Sequence, residues 1–184
     1  MANNNIKQNI KSSALELFST TGYEATSIRD LSAKANCSLP MMYYYYESKE
    51  KLLTEIVSVD FTEIINRIFS DAIKSNDLRT FVLTFVDGLI NLTVKEKQTA
   101  QIALRLHMGS PKHEALNKTL IQFKFAKESA LRNHLFSVWR TDKNIEEKTH
   151  ILIDIIYNAM ICILLTNRQL TLKQIDADIR YLLQ

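Results

Sequence analysis

From Gly22 to Gly88 the chain contains no other glycine, and Pro40 is its only proline over that span. The full 184 residues hold three glycines and two prolines: Gly22, Gly88, Gly109, Pro40 and Pro111. A many-stranded β fold needs turn residues about every ten positions, so this scarcity of breakers predicts an all-α protein of long helices. It also leaves no Gly-x-Gly anywhere, which excludes the glycine loops that cradle nucleotide phosphates. The length suits one domain, or a small domain joined to a larger one, and 46% hydrophobic residues can fill a sizeable core.

Helical periodicity and capping residues divide the chain. Ile6, Ile10, Ala14, Leu17 and Phe18 repeat on one face of a helix from about Asn5 to Thr20, and Gly22 ends it. Ser27 caps a short second helix with Ile28, Leu31 and Ala35 on its apolar face. Asn36 then falls where a left-handed backbone is convenient. Ser38 caps a third helix, Leu39 to Tyr45, with Pro40 in its first turn, where proline costs little. Ser48 opens a fourth that runs to about Lys74. Further helices are expected over Asp77–Val94, Glu96–His107, Lys112–Trp139 and Leu172–Leu183, with a break at Gly109-Ser110-Pro111. One more starts at Asn144 and Glu147, a capping-box-like pair, and ends near Asn167.

The stretch "SLPMMYYYYESKEKL", Ser38 to Leu52, carries four consecutive tyrosines. At about 100° per residue, Met42 and Tyr46 share one face of the third helix, taken as the buried one. Pro40, Met41 and Tyr44 point the opposite way, and Tyr43 and Tyr45 straddle the boundary. A helix this short, with bulky groups outside, is expected to seat against something else.

Charge alone announces no partner. The net charge is 23 − 20 = +3. Residues 1–58 balance six cations (Lys7, Lys11, Arg29, Lys34, Lys49, Lys51) against six anions (Glu16, Glu24, Asp30, Glu47, Glu50, Glu55). Position is more informative. Lys49 and Lys51 lie in the first turn of the fourth helix, where the helix dipole disfavours cations. Either Lys49 is simply solvated beside Glu50, or it joins the free helix N–H groups in holding an anion such as a backbone phosphate.

Other chemistries find no support. The four histidines, His107, His113, His134 and His150, have no Cys or carboxylate partners at metal-ligand spacing. No nucleophile or metalloprotease motif occurs, so neither catalysis nor a cofactor is expected. Cys37 and Cys162, each among apolar neighbours, read as buried reduced thiols of a cytoplasmic protein. "MANNNIKQNI" lacks the apolar core of a signal peptide. The most apolar run, Ile151 to Leu165, contains Asp154 and Asn158 and falls short of the roughly 20 residues that span a bilayer; no membrane partner is expected.

Residues 10–52, "IKSSALELFSTTGYEATSIRDLSAKANCSLPMMYYYYESKEKL", resemble the DNA-binding domain of TetR-family transcriptional regulators. The matching positions are Ala14, Leu17-Phe18, Gly22-Tyr23, Thr26-Ser27-Ile28, Leu31, Ala35, Ser38, Tyr43, Tyr46, Ser48-Lys49-Glu50 and Leu52. The chain departs from the family at Asn36-Cys37, where Gly-Val is usual, and at Leu39 and Met41, where small or polar residues are usual. The resemblance implies a three-helix helix-turn-helix domain over residues 1–50. It further implies an antiparallel helical regulatory and dimerisation domain over 51–184. The third helix would then lie in the major groove of double-stranded DNA. Ser38 would cap it, Leu39, Pro40 and Met41 would face bases, and Tyr43, Tyr44 and Tyr45 would direct hydroxyls at phosphates. Thr26, Ser27 and Lys49 would clamp the backbone, and Arg29 would reach a phosphate or a base.

For the second half the resemblance implies a homodimer through the last two helices, with Ile155 and Ile163 at the interface. Asp154 and Asn158, at i and i+4, either line a cavity or bond across the two-fold axis. Phe61, Phe85, Phe123, Tyr157 and Met160 are candidate lining residues for an apolar or amphipathic effector, although each also suits an ordinary core; Phe81, Phe125 and Trp139 belong to the same aromatic set. The function expected is sequence-specific repression at a palindromic operator, released by a small molecule. The alternative is a helical ligand-binding or scaffold protein of the same fold without DNA affinity.

Overall fold

The computed structural model describes the backbone of residues 2–75, 77–109, 113–138, 144–166 and 170–182. Among them the chain forms ten α-helices and no strand. They are α1 (Ala2–Thr20), α2 (Ile28–Lys34), α3 (Leu39–Tyr45), α4 (Lys49–Glu55) and α5 (Phe61–Ala72), followed by α6 (Leu78–Ile90), α7 (Val94–Gly109), α8 (Glu114–Val138), α9 (Ile145–Leu165) and α10 (Leu172–Leu182). The expected break at Ser110-Pro111 and the expected helix ends at Lys112, Trp139, Asn167 and Leu183 lie outside the described residues.

Several expectations need correction. The fourth helix is not one regular α-helix: Ile56–Asp60 is a π-helical turn between α4 and α5, in which the Phe61 N–H reaches back to Ile56 O. A π turn absorbs an extra residue within a helix. Here Ile56 and Val57 are both fully buried while Asp60 meets Lys11. A second correction is at Asn144, which stands at the N-cap of α9 but makes no side-chain capping hydrogen bond.

The chain forms two compact units. One comprises Met1–Thr62 and Thr93–Asn117, the other Glu63–Leu92 and Lys118–Gln184. In the first, α1 packs on α2 and α7, α2 packs on α3, and the π turn packs on α7. Its centre is built from Ile10, Ala14, Leu31, Met42, Leu52 and Ile56, all with no exposed surface. Fully burying each larger side chain contributes about 1.5–3 kcal/mol. On α1 the buried leucine is Leu15 rather than the expected Leu17, which is half-buried.

In the second unit α6 packs on α9 and α10. Phe81 meets Phe69 edge-on at 5.9 Å and stacks on Phe85 at 6.3 Å. Gly88 permits a close approach of α5 to α6: a Cβ there would lie 2.9 Å from Ile68 Cγ2. Counted from Glu146, α9 offers 20 residues of mean hydropathy 1.6, long and apolar enough by composition to cross a bilayer. Leu152, Ile156, Ala159 and Leu164 are nevertheless buried in its packing, as in the core helix of a folded unit. Elsewhere around the helix Ile151 keeps 40% exposure, and Ile153, Ile155, Ile161 and Ile163 are half-buried.

Candidate nucleic-acid interface

The interface is built from two turns. Gly22 takes φ +95°, which an L side chain rarely adopts, and its N–H and that of Thr21 both reach Leu17 O, closing α1. Thr26, 2% exposed, donates its hydroxyl to Gly22 O at 2.7 Å. Ser27 completes a capping box: its Oγ accepts from Asp30 N at 3.1 Å, and its own N–H donates to Asp30 Oδ2 at 2.8 Å. The Ser27 hydroxyl and backbone N–H hold the Asp30 carboxyl below the usual carboxylate range. Thus Thr26 presents no free side chain to a phosphate, and Ser27, although at the surface, gives both its hydroxyl and its N–H to Asp30. Arg29, one turn into α2, is exposed and makes no side-chain hydrogen bond or ion pair among the described residues.

Lys49 is drawn inward. Its Nζ donates to Tyr23 O and to Thr26 O, each at 2.8 Å, and lies 4.1 Å from the Tyr23 ring centroid. Two of its three N–H donors therefore tie α4 to the turn that precedes α2. The local cost of a cation in the first turn of a helix is offset by two charge-assisted hydrogen bonds and a cation–π contact. Tyr23 is itself fixed, edge-on to Phe18 at 5.1 Å and to His113 at 4.9 Å.

Asn36, at φ 51°, makes the left-handed turn after α2. Ser38 caps α3, its Oγ accepting from Met41 N at 3.3 Å. The helix seats on Met42 and Tyr46, 0% and 3% exposed, and displays Leu39, Tyr43 and Tyr44 at 37%, 52% and 73%. Pro40 is exposed, and Met41 and Tyr45 are half-buried. Tyr45 meets Tyr44 edge-on at 5.1 Å, so one ring steadies the other at the surface. Cys37, expected to be buried, is half-exposed in the turn, while Cys162 is buried. Burial pushes the Cys37 thiol up.

A charged cluster sets the base of this unit. Lys11 lies 2.9 Å from Glu55 and 2.8 Å from Asp60, and Lys7 lies 3.3 Å from Glu55. The Tyr46 hydroxyl donates to Glu55 at 3.3 Å. Burial alone would raise Glu55; Lys11 and Lys7 outweigh it and hold the carboxyl below its ordinary range.

The candidate ligand and dimer residues fall in different places. Phe61, 6% exposed, belongs to the first unit; Phe85 and Met160, 4% and 7% exposed, are core of the second. Phe123 and Tyr157 are half-buried, each beneath a lysine: Lys127 lies 5.4 Å from the Phe123 ring and Lys124 4.1 Å from that of Tyr157. Ile155 and Ile163 are half-buried, and Asp154 and Asn158 exposed. Trp139 lies outside the described residues.

Sequence reasoning missed His113. Its side chain is 10% exposed, against Tyr23 and with Nε2 3.3 Å from Glu24 Oε1. Nothing local marks it, because its partners are some ninety positions away. The other described histidines make hydrogen bonds or reach solvent: His107 to Asn117 and His134 to Ser75 O, each at 3.1 Å, with His150 exposed. Among the described residues no group of three or more His, Cys, Asp or Glu could hold a metal ion.

Residues 10–56 match the family model of bacterial regulatory proteins of the tetR family. A biofilm operon icaADBC HTH-type negative transcriptional regulator, IcaR of Staphylococcus aureus, is 31% identical over 71 residues, 39% of this chain and 38% of that one. The uncharacterized HTH-type transcriptional regulator YuxN of Bacillus subtilis is 27% identical over 126 residues, 68% of this chain and 42% of that protein. The chain thus matches only about two fifths of these relatives' length. Among solved structures, a transcriptional regulator from Aquifex aeolicus superposes with TM-score 0.72 at 21% identity, covering 97% of each chain. A regulator from Saccharomonospora viridis in complex with choline superposes with TM-score 0.71 at 15% identity, covering 96% of this chain and 94% of that one. These likenesses show the fold.

Proposed function

We propose that the chain is a member of the TetR family of bacterial regulatory proteins, whose family model matches residues 10–56, and that it is a sequence-specific DNA-binding repressor acting as a homodimer in the cytoplasm. The observation that carries this reading is α3, a seven-residue helix seated by Met42 and Tyr46 that leaves Leu39, Tyr43 and Tyr44 bare. Exposed aromatic and aliphatic side chains on so short an element cost solubility unless a partner covers them. In a major groove, Leu39, Pro40 and Met41 make van der Waals contacts, for instance to a thymine methyl. Tyr43, Tyr44, Tyr45, Ser38 and Arg29 reach phosphates, while Ser27, its hydroxyl and N–H both given to Asp30, fixes the start of α2 beneath them. Lys49 supports the surface from within and leaves one N–H for a phosphate.

A single helix-turn-helix buries too little surface for tight binding, so two copies act on a palindrome. Ile151, Ile155 and Ile163 of α9, none of them fully buried, together with exposed Ile121 and Phe125 of α8, are the apolar surface a second copy would cover. Release by a small-molecule effector is the regulatory reading, supported by the choline complex of a similarly folded regulator. No catalytic role is proposed.

The even balance of charge in residues 1–58 favours a second reading, a ligand-binding protein of this fold without DNA affinity. A gel shift with DNA from upstream of the protein's own gene separates them. The proposal expects a discrete complex that unlabelled operator competes away and random duplex does not. The second reading expects no complex.

A further inference from the structure

The inward stripe of α8 carries charge where it should carry leucine. Leu120 and Leu131 are 5% and 3% exposed. Phe123, Lys124, Lys127 and Glu128 stand three, four, seven and eight positions after Leu120, on the same helical face. All four are only half-buried. The stripe therefore opens to solvent for two turns between two buried leucines, and a lysine occupies its centre. Functional sites are where such breaks in a local pattern are expected.

Lys127 is the unusual member. Its Nζ lies 4.9 Å from the centroid of Phe69 and 5.4 Å from that of Phe123. It makes no hydrogen bond or ion pair among the described residues. The neighbouring acid, Glu128, turns instead to Lys124 at 3.6 Å, and Lys124 rests over Tyr157 at 4.1 Å. Partial burial among rings pushes the Lys127 ammonium down from its ordinary pKa. An ammonium walled by aromatic faces and lacking a counter-ion is short of one anion. The aromatic faces are already occupied by a cation, which disfavours a quaternary ammonium there.

We infer that this opening in α8 is a ligand site for a small amphiphilic carboxylate, its anion received by Lys127 and its apolar body laid against Phe69 and Phe123. The ligand's charge would complete the ion pair that the fold leaves half-made, and its hydrocarbon would fill the interrupted stripe. The site's role as an effector site rests on the reading of this chain as a ligand-released regulator; the ligand chemistry itself does not.

Calorimetric titration of the full-length protein with decanoate and with decanamide, matched tails with and without charge, tests the assignment. Decanoate should bind about tenfold more tightly than the amide, the value of one charge-assisted pair. Lys127→Met, which keeps the stem and packing, should erase that preference, and Lys127→Arg should retain it. Unchanged melting temperatures of both variants would show that folding is intact. Equal affinity for the acid and the amide, binding by neither, or a preference that survives Lys127→Met would each overturn the assignment. Operator binding is measured separately without ligand: its absence beside Lys127-dependent decanoate binding would remove the repressor reading and leave the site standing.

Discussion

Lys49 holds Tyr23 at two points: its ammonium donates to the Tyr23 carbonyl at 2.8 Å and sits 4.1 Å from the Tyr23 ring centroid. The same ammonium reaches Thr26 O, so one side chain fixes the start of α2 from the start of α4. A lysine whose whole task was to meet phosphate would stay in water and contribute little to folding. Lys49→Ala should therefore lower the stability of the protein by about 1.5–3 kcal/mol, the range for hydrogen bonds to a charged group. Urea denaturation followed by circular dichroism checks this; an unchanged midpoint would leave Lys49 as a surface cation only.

The exposed tyrosines should behave differently. Tyr43→Phe removes a hydroxyl from the surface and nothing from the core, so the fold should keep its melting temperature. Affinity for every DNA sequence should fall together, by about 1 kcal/mol, because phosphate contacts carry no sequence information. Met41→Ala should instead change which operator is preferred. Competition binding across a set of single-base operator variants distinguishes the two patterns.

The cluster of Lys7, Lys11, Glu55 and Asp60 gives a pH window. Glu55 is held below its ordinary pKa once its lysines outweigh burial. Its contribution is present above the unfolded value and is lost as pH falls through the folded one. For Lys11, burial lowers the pKa, but Asp60 and Glu55 outweigh it and the net shift is upward. Its contribution is present below the unfolded value and disappears only as pH rises through the folded one. Stability should thus be flat through neutrality and decline on both the acid and the strongly alkaline sides. Glu55→Gln should flatten the acid side of that profile in thermal melts, and an unchanged acid profile would show that the cluster is not what titrates.

Gly88 supplies a packing test. Gly88→Ala gains about 1 kcal/mol in helix propensity. It also drives a Cβ to 2.9 Å from Ile68 Cγ2, and overpacking of this kind costs about 1–3 kcal/mol. The substitution should be net destabilising, and less so in an Ile68→Ala background, where the obstructing methyl is gone. A double-mutant cycle measures that coupling.

What could be read from the sequence was what local rules decide. Leu39–Tyr45 was bounded by a serine cap and an aromatic run, and both ends agree with the structure. The burial of Met42 and Tyr46 and the display of Tyr44 followed from 100° per residue. The left-handed Asn36 followed from its place between two helices. What could not be read were partnerships across the chain. The carbonyls that hold Lys49 lie 26 and 23 positions away, and the Tyr23–His113 contact joins still more distant residues. Thr26 shows the same limit: its type suits a phosphate contact, but its hydroxyl closes a turn and never reaches the surface. Nor does any composition rule announce the π turn at Ile56–Asp60.

In the proposed function α3 reads a two-fold operator. Enrichment of bound sequences from a randomised duplex library, using the purified native protein, tests it most directly. The account predicts an inverted repeat whose half-sites lie about one helical turn apart, roughly 34–36 Å, or a multiple of that distance. It also predicts affinity for that repeat that falls with salt as phosphate contacts are screened. A folded protein that enriches no sequence, or that binds the selected repeat no better than random duplex at the same salt, would contradict it.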